Sequence, residues 1–258
     1  MDYFSLKNKN IIITGASSGI GKVCAIECSR IGANVVLLGR DIKRLNEVLT
    51  EIELLKHNEE NKILIYSIDL LNNLNELSSI VDEIVLKIGK IDGFIHAAGI
   101  EKTLPITAMK ELDFENIFKV NALSGFELAK IVSKKKNINE RASFVFISSI
   151  TSVIGRIGVV GYAASKGALV SGAKSMALEL APKKINVNCI SPGTILTPMM
   201  IKYLDSIPEE ERIKRKDGFP LGLGNPIDIS NAAIFLLSEA SKWITGQNII
   251  VDGGYTSK

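Results

Sequence analysis

The sequence predicts an α/β fold, a parallel sheet covered by helices on both faces. Apolar runs rich in Val, Ile, Leu and Phe recur along the chain without polar alternation, as strands buried on both faces require. Helical stretches separate these runs, so each strand returns to the same sheet through a crossover. The first run also leads directly through a glycine-rich turn into a helix, an order that begins many such sheets.

Composition sets the frame. The chain has 258 residues and 46% hydrophobic content, with no Pro/Gly/Ser-rich linker dividing it, so residues 1–258 read as one domain. A formal charge of +3 is small and dispersed among acidic residues, which argues against nucleic acid or an anionic membrane as partner. Three cysteines cannot all pair; Cys24 and Cys28 fall one helical turn apart in an apolar segment and read as buried thiols in a reducing compartment. Residues 1–10 lack the apolar core of a signal peptide, so the expected location is the cytoplasm. Only Arg156 is charged between residues 144 and 164, yet serines and glycines punctuate that stretch, and it reads as strand, loop and helix start.

Residues 9–14 form the first expected strand. The turn Thr14-Gly-Ala-Ser-Ser-Gly-Ile-Gly21 follows, and a helix runs on to residue 30. Gly15, Gly19 and Gly21 permit positive φ and close backbone approach, and a helix start offers free N–H groups to a pyrophosphate. Residues 34–39 form the second strand, completing a βαβ unit of dinucleotide-binding length. Its end carries Gly39 and Arg40 where an acidic residue would accept the ribose hydroxyls. A guanidinium suits a 2′-phosphate, so NADP(H) is favoured, with NAD(H) the alternative.

A charged helix is expected from 41 to about 57, then a strand over 62–68 ending at Asp69-Leu70. A helix over 73–88, a strand over 91–97 closing on Ala98-Gly99, and one long helix over 112–135 continue the alternation. Asn121 lies inside that helix, either a structural hydrogen bonder or part of a polar site. Residues 144–148, 162–180 and 185–190 give a further strand, helix and strand. Residues 194–224 lack strand periodicity and read either as a lid over a pocket or as a pair of solvated helices. A helix over 225–237 and a strand over 249–251 end the pattern. His96 and His57 have no ligand-spaced neighbours and read as structural, so no metal site is expected.

In sheets of this kind ligands bind beyond the carboxyl ends of the strands. Gly15, Asp69, Gly99, Ser149 and Pro192-Gly193 all follow predicted strands, so they converge on one crevice. Tyr162 and Lys166 are four apart on a helix and share a face, where the ammonium is expected to stabilise phenolate and lower the tyrosine pKa. Ser149 offers a second hydrogen bond to the same substrate oxygen. Carbonyl reduction or alcohol oxidation is the chemistry such a set serves.

With these residues in place, the chain resembles the short-chain dehydrogenase/reductases over nearly its whole length. The turn from Thr14 to Gly21 is similar to that family's cofactor turn, and Asn121, Ser149, Tyr162 and Lys166 are similar in order and spacing to its catalytic set. The resemblance implies a single-domain Rossmann fold whose parallel sheet has about seven strands in the order 3-2-1-4-5-6-7. It implies that Ser149 positions the carbonyl, Tyr162 passes the proton, Lys166 lowers the tyrosine pKa and holds the nicotinamide ribose, and Asn121 anchors a relay water. For the cofactor it implies Gly15, Ser17, Ser18, Gly19, Ile20 and Gly21 at the phosphates, Arg40 at the ribose, Asp69 and Leu70 at the adenine, Ala98 and Gly99 along the backbone, and Pro192, Gly193, Ile195 and Thr197 with Tyr162 and Lys166 at the nicotinamide. Two departures stand out: His96-Ala97-Ala98-Gly99 replaces the usual Asn-Asn-Ala-Gly, and Ser18 stands where NADP-dependent relatives carry a basic residue.

Phe219-Pro-Leu-Gly222 and Trp243-Ile-Thr-Gly246 further resemble the 3-oxoacyl-acyl-carrier-protein reductase group. The expected activity is NADPH-dependent reduction of a ketone, 3-oxoacyl or related, to a secondary alcohol. Sugar or other secondary-alcohol dehydrogenase is the alternative within the family, and a non-catalytic dinucleotide-binding regulator the alternative outside it. The expected partners are a small carbonyl or alcohol substrate, with an acyl-carrier-protein-linked one among the candidates, and further copies of the chain in a homotetramer or homodimer.

Overall fold

The computed structural model describes residues 2–55 and 61–257. The strands are β1 (Asn10–Thr14), β2 (Asn34–Gly39), β3 (Ile63–Ser67), β4 (Ile91–His96), β5 (Ile138–Ile147), β6 (Asn186–Pro192) and β7 (Asn248–Val251). They form a seven-stranded sheet in the order β3-β2-β1-β4-β5-β6-β7, with every described pair parallel. This is the expected doubly wound sheet.

Successive side chains of each strand point to opposite faces, and here both faces are packed. Ile12, Val36, Phe94, Phe144 and Val187 face one core with α3 (Leu77–Ile88), α5 (Ser124–Val132) and α6 (Val160–Leu180). Ile11, Val35, Ile95, Val145 and Ile190 face the other, against α1 (Gly19–Arg30), α2 (Ile42–Leu55) and α9 (Pro226–Leu237). Cys24, Cys28 and Cys189 are free and buried in these layers. Burial pushes the Cys24 and Cys189 thiols up to about 12, which keeps them protonated.

Two expected elements differ. The long helix over 112–135 is two helices, α4 (Glu111–Phe118) and α5, joined by a π-helical turn at Lys119–Leu123. Ile117, Val120, Ser124 and Leu128 stay buried through the turn, so helical spacing hides the inserted residue. Strand β5 begins at Ile138 rather than Phe144; its pairing shifts between Ile91 and Gly93, and Arg141 adopts φ 59°, so charged residues interrupt the apolar run. Residues 194–224 hold two short helices, α7 (Pro198–Ser206) and α8 (Glu209–Asp217). Thr197 caps α7 by accepting from the Met200 N–H at 3.3 Å, and the charges of α8 run from acidic start to basic end, as the helix dipole favours. His57 lies outside the described residues.

Candidate functional site

The crevice opens beyond the carboxyl ends of β1, β4, β5 and β6. At its floor Gly15 has φ 67°, and a methyl placed on it would stand 2.8 Å from the backbone nitrogen of Ala98. The turn after β1 therefore lies directly against the loop after β4. A methyl on Gly21 would stand 2.4 Å from the Gly15 carbonyl, so any side chain there would push α1 off its turn. Ser18 precedes α1 with extended backbone and no side-chain cap, leaving the first N–H groups, at Gly19, Ile20 and Gly21, without a capping side chain. These bare backbones fit a dinucleotide pyrophosphate. Thr197 reaches over them, its methyl 3.1 Å from where a Gly19 side chain would begin, so the segment after β6 closes on the same turn. In that segment Pro192 lies in β6, Gly193 lines the cavity beside Ser149 and Tyr162, and Ile195 is buried and bridges to Gly224.

At the β2 end, Gly39 faces Ser17 across about one atomic contact, 3.5 Å from a β-carbon position. Arg40 is exposed and its carbonyl accepts from Ser67 Oγ at 3.1 Å. Asp69 sits beside it. Burial works against that carboxylate's charge, but hydrogen bonds from the Leu71 N–H (3.0 Å) and Asn72 Nδ2 (2.7 Å), with the Arg40 charge, hold its pKa below the usual range. Leu70 is buried behind it.

The opposite end carries the candidate catalytic groups. Ser149 follows β5 as the first residue of a short turn, its Oγ accepting from the Thr151 N–H at 3.2 Å. Ser149 and Tyr162 line one cavity of about 470 Å³ with Gly193, Thr194, Ile154 and Phe219. Lys166, one turn after Tyr162 on α6, is buried and donates to the Ile147 carbonyl at 2.8 Å; its Nζ is 5.7 Å from the centre of the Tyr162 ring. A methyl on Gly99 would stand 3.3 Å from that Nζ and 3.5 Å from Asn121 Oδ1, so loop, lysine and amide meet.

The expected fall in the Tyr162 pKa is corrected here. Burial, reinforced by the Glu101 charge, pushes the phenol up to about 12, against the lowering effect of the Ser149 hydroxyl and Arg156. Lys166 spends its ammonium on a strand-end carbonyl, and its own pKa is drawn down to about 8 by burial. Tyr162 in this arrangement is a phenol that keeps its proton.

The Asn121 side chain is hydrogen-bonded at both ends of its amide. Its Oδ1 accepts from the Ile100 N–H at 2.7 Å, and its Nδ2 donates to the Ile100 carbonyl at 2.9 Å and to Ser165 Oγ at 3.0 Å. The side chain is thus a bridge between the β4 loop, the π turn and α6. The π turn leaves its main-chain carbonyl to accept from His96 Nε2 at 3.2 Å, while His96 Nδ1 accepts from the Thr14 hydroxyl at 2.9 Å and Thr14 Oγ1 accepts from the Ala98 N–H at 3.1 Å. Burial and the Lys166 charge hold this imidazole neutral, at about 3. His96 therefore ties β1 to the π turn, where the family pattern would use an amide. Gly125 makes room, since a methyl there would come within 2.7 Å of the ring.

Sequence reasoning missed Glu101 and Arg156, which act electrostatically on Tyr162, and Thr151, Glu211, Lys214 and Arg215, which complete the cavity. Arg156 gave one signal, a lone charge in an apolar stretch. Among the described residues no group of three or more His, Cys, Asp or Glu is placed to hold a metal, and no helix is long and apolar enough to cross a membrane.

A glycine-lined helix start facing a serine, tyrosine and lysine defines a dinucleotide-dependent oxidoreductase class of site. Comparison with known proteins agrees. The family model described as enoyl-(acyl carrier protein) reductase matches residues 15–256. The 3-oxoacyl-[acyl-carrier-protein] reductase FabG of Thermotoga maritima is 33% identical, covering 96% of this chain and 98% of its own. The 7α-hydroxysteroid dehydrogenase of Escherichia coli K12 is 34% identical over 98% and 96%; a solved structure of a 7α-hydroxysteroid dehydrogenase with NADH and 7-oxo glycochenodeoxycholic acid, also 34% identical, superposes with a TM-score of 0.90 over the same shares. A putative 2-deoxy-D-gluconate 3-dehydrogenase of Agrobacterium tumefaciens, solved with bound NADP, is 28% identical with a TM-score of 0.86 over 100% of both chains. The chain belongs to the short-chain dehydrogenase/reductase family. It is an oxidoreductase acting on CH–OH or C=O groups, and the family's cofactor is NAD(P)(H).

Proposed function

We propose that the protein is an NADPH-dependent carbonyl reductase acting on a ketone of the 3-oxoacyl or a related type. The observation that carries this reading is the cavity wall that Ser149 shares with Tyr162, with Lys166 one turn along the same helix. A protonated phenol is the right starting state for giving a proton to a carbonyl oxygen becoming an alcohol.

Bound NADPH supplies the hydride. Ser149 Oγ donates to the substrate oxygen and holds the carbonyl toward Tyr162, which releases its proton to that oxygen as charge builds. Lys166 holds the nicotinamide ribose and supplies positive charge as the phenolate forms; Asn121 keeps the β4 loop and α6 in register and anchors the relay water. Arg40 meets the 2′-phosphate, and NAD(H) use is the alternative its exposure leaves open. Helices α7 and α8 contribute Met200, Glu211, Lys214 and Arg215 to the cavity and the connection between them Ile207, and residues 194–224 act as its lid. The protein works in the cytoplasm as a homotetramer or homodimer, and an acyl-carrier-protein-linked substrate is among its candidates.

A panel of acyl thioesters, sugars and small ketones, read by NADPH oxidation, tests the reading. Turnover of thioesters supports the 3-oxoacyl assignment. Preference for sugars, read in the oxidative direction, would support the secondary-alcohol dehydrogenase alternative that the steroid and gluconate relatives motivate. Nucleotide binding with no turnover of any substrate would support a regulator instead.

A further inference from the structure

Three cations line the Tyr162 cavity. Lys214 and Arg215 come from the last turn of α8 and Arg156 from the loop before α6. Arg212, on the same helix, is ion-paired with Glu209. Among the described residues, none of the three lining cations is within ion-pair distance of a carboxylate. Arg215 is held in place without being neutralised: its Nη2 donates to the Tyr203 hydroxyl at 3.3 Å and its guanidinium lies 5.1 Å from that ring's centre.

Two carboxylates share the lining, Glu101 and Glu211, and Glu101 already accepts from the Thr103 hydroxyl at 3.2 Å. Three cations therefore face two anions around the cavity. Thr151 adds a polar group, a buried hydroxyl with no hydrogen-bond partner in the protein. A neutral ketone bound here would leave these cations unpaired; an anion would pair them and take the planar donors of Arg215.

We propose that the ketone substrate carries an anionic oxygen group, a carboxylate or phosphate, gripped by Arg215, Lys214 and Arg156 while its carbonyl rests on Ser149 and Tyr162. This rests on the carbonyl-reductase reading above and narrows its substrate class.

The test uses the full chain with NADPH and matched ketones: short oxo acids against their methyl esters, and ketone phosphates against their dephosphorylated forms. The anion is expected to be favoured in kcat/KM by about tenfold or more, mainly through KM and less so at high salt. Whichever anion leads identifies the group. Lys214→Gln with Arg215→Gln is expected to lower the anion-to-neutral ratio about tenfold, and Lys214→Glu with Arg215→Glu to invert it, in proteins whose melting confirms folding. Turnover of both partners with a ratio near one, or a ratio unmoved by the charge reversal, overturns this inference and leaves the reductase reading standing. No turnover of any ketone overturns both.

Discussion

The two ends of the crevice hold their polar groups by different means. At the β5–α6 end, Lys166 is 3% exposed and Asn121 is 0% exposed, and each is tied to backbone carbonyls or N–H groups of another element. At the β2–β3 end, Arg40 is exposed and meets Asp69 only through its field. Buried groups with exact partners impose geometry, since each unsatisfied atom is penalised. Exposed charges impose preference, which solvent screens. The first end is suited to chemistry and the second to choosing between similar ligands.

The largest expected effect falls at the buried end. Tyr162→Phe keeps the ring and its packing but removes the proton donor, so turnover is expected to fall by about 10³ or more. Nucleotide affinity, followed by fluorescence titration, is expected to stay within a few-fold of the original. Near-normal turnover would break the comparison at its strongest point. Ser149→Ala is expected to lower kcat by about 10². Its hydroxyl lowers the phenol pKa and accepts from the Thr151 N–H, so the variant loses carbonyl polarisation and loosens the turn that lines the cavity. A change confined to KM would show that Ser149 only binds.

At the exposed end the expected effect is a change of ratio. Gly39→Asp with Arg40→Ala offers a carboxylate to ribose hydroxyls and removes the guanidinium. The new side chain begins 3.2 Å from Cδ2 of the buried Leu45, which must shift by a few tenths of an ångström to admit it. The ratio of kcat/KM for the two cofactors is expected to move about tenfold toward NAD. An unchanged ratio would mean that Arg40 makes no phosphate contact.

What could be read from residues alone follows the same division. Strands buried on both faces are continuous apolar runs, so β1, β2, β4 and β6 stood out, and the glycine turn after β1 located the crevice. The π turn did not, because Val120, Ser124 and Leu128 keep helical spacing through it. The direction of the Tyr162 pKa was misread because burial and the Glu101 charge act through space, and neither has a local signature near residue 162. Arg215 and Lys214 belong to residues 194–224, which read either as a lid or as a pair of solvated helices, and nothing in their local spacing marks them as cavity-lining.

The smallest effect on activity, and the sharpest on the buried end's construction, concerns His96. Its imidazole is neutral because burial and the Lys166 charge hold its pKa at about 3, against 6.5 when unfolded. For a base whose folded pKa is depressed, the unfolded chain binds the extra proton first. The contribution is intact above pH 6.5 and is lost as pH falls through 6.5 toward 3, at roughly 1.4 kcal/mol per pH unit. His96→Asn removes that titration, so urea unfolding between pH 6.5 and pH 4.5 should show a slope shallower by about one proton, even if the variant is less stable at neutral pH through loss of the Thr14 and Asn121 bonds. Arg40→Ala, a change at the exposed end, should leave that slope as it was. Equal slopes for the original and His96→Asn would mean that the imidazole takes up its proton in the folded protein, with the Thr14 hydroxyl turned to accept from Nδ1–H and burial failing to hold the ring neutral.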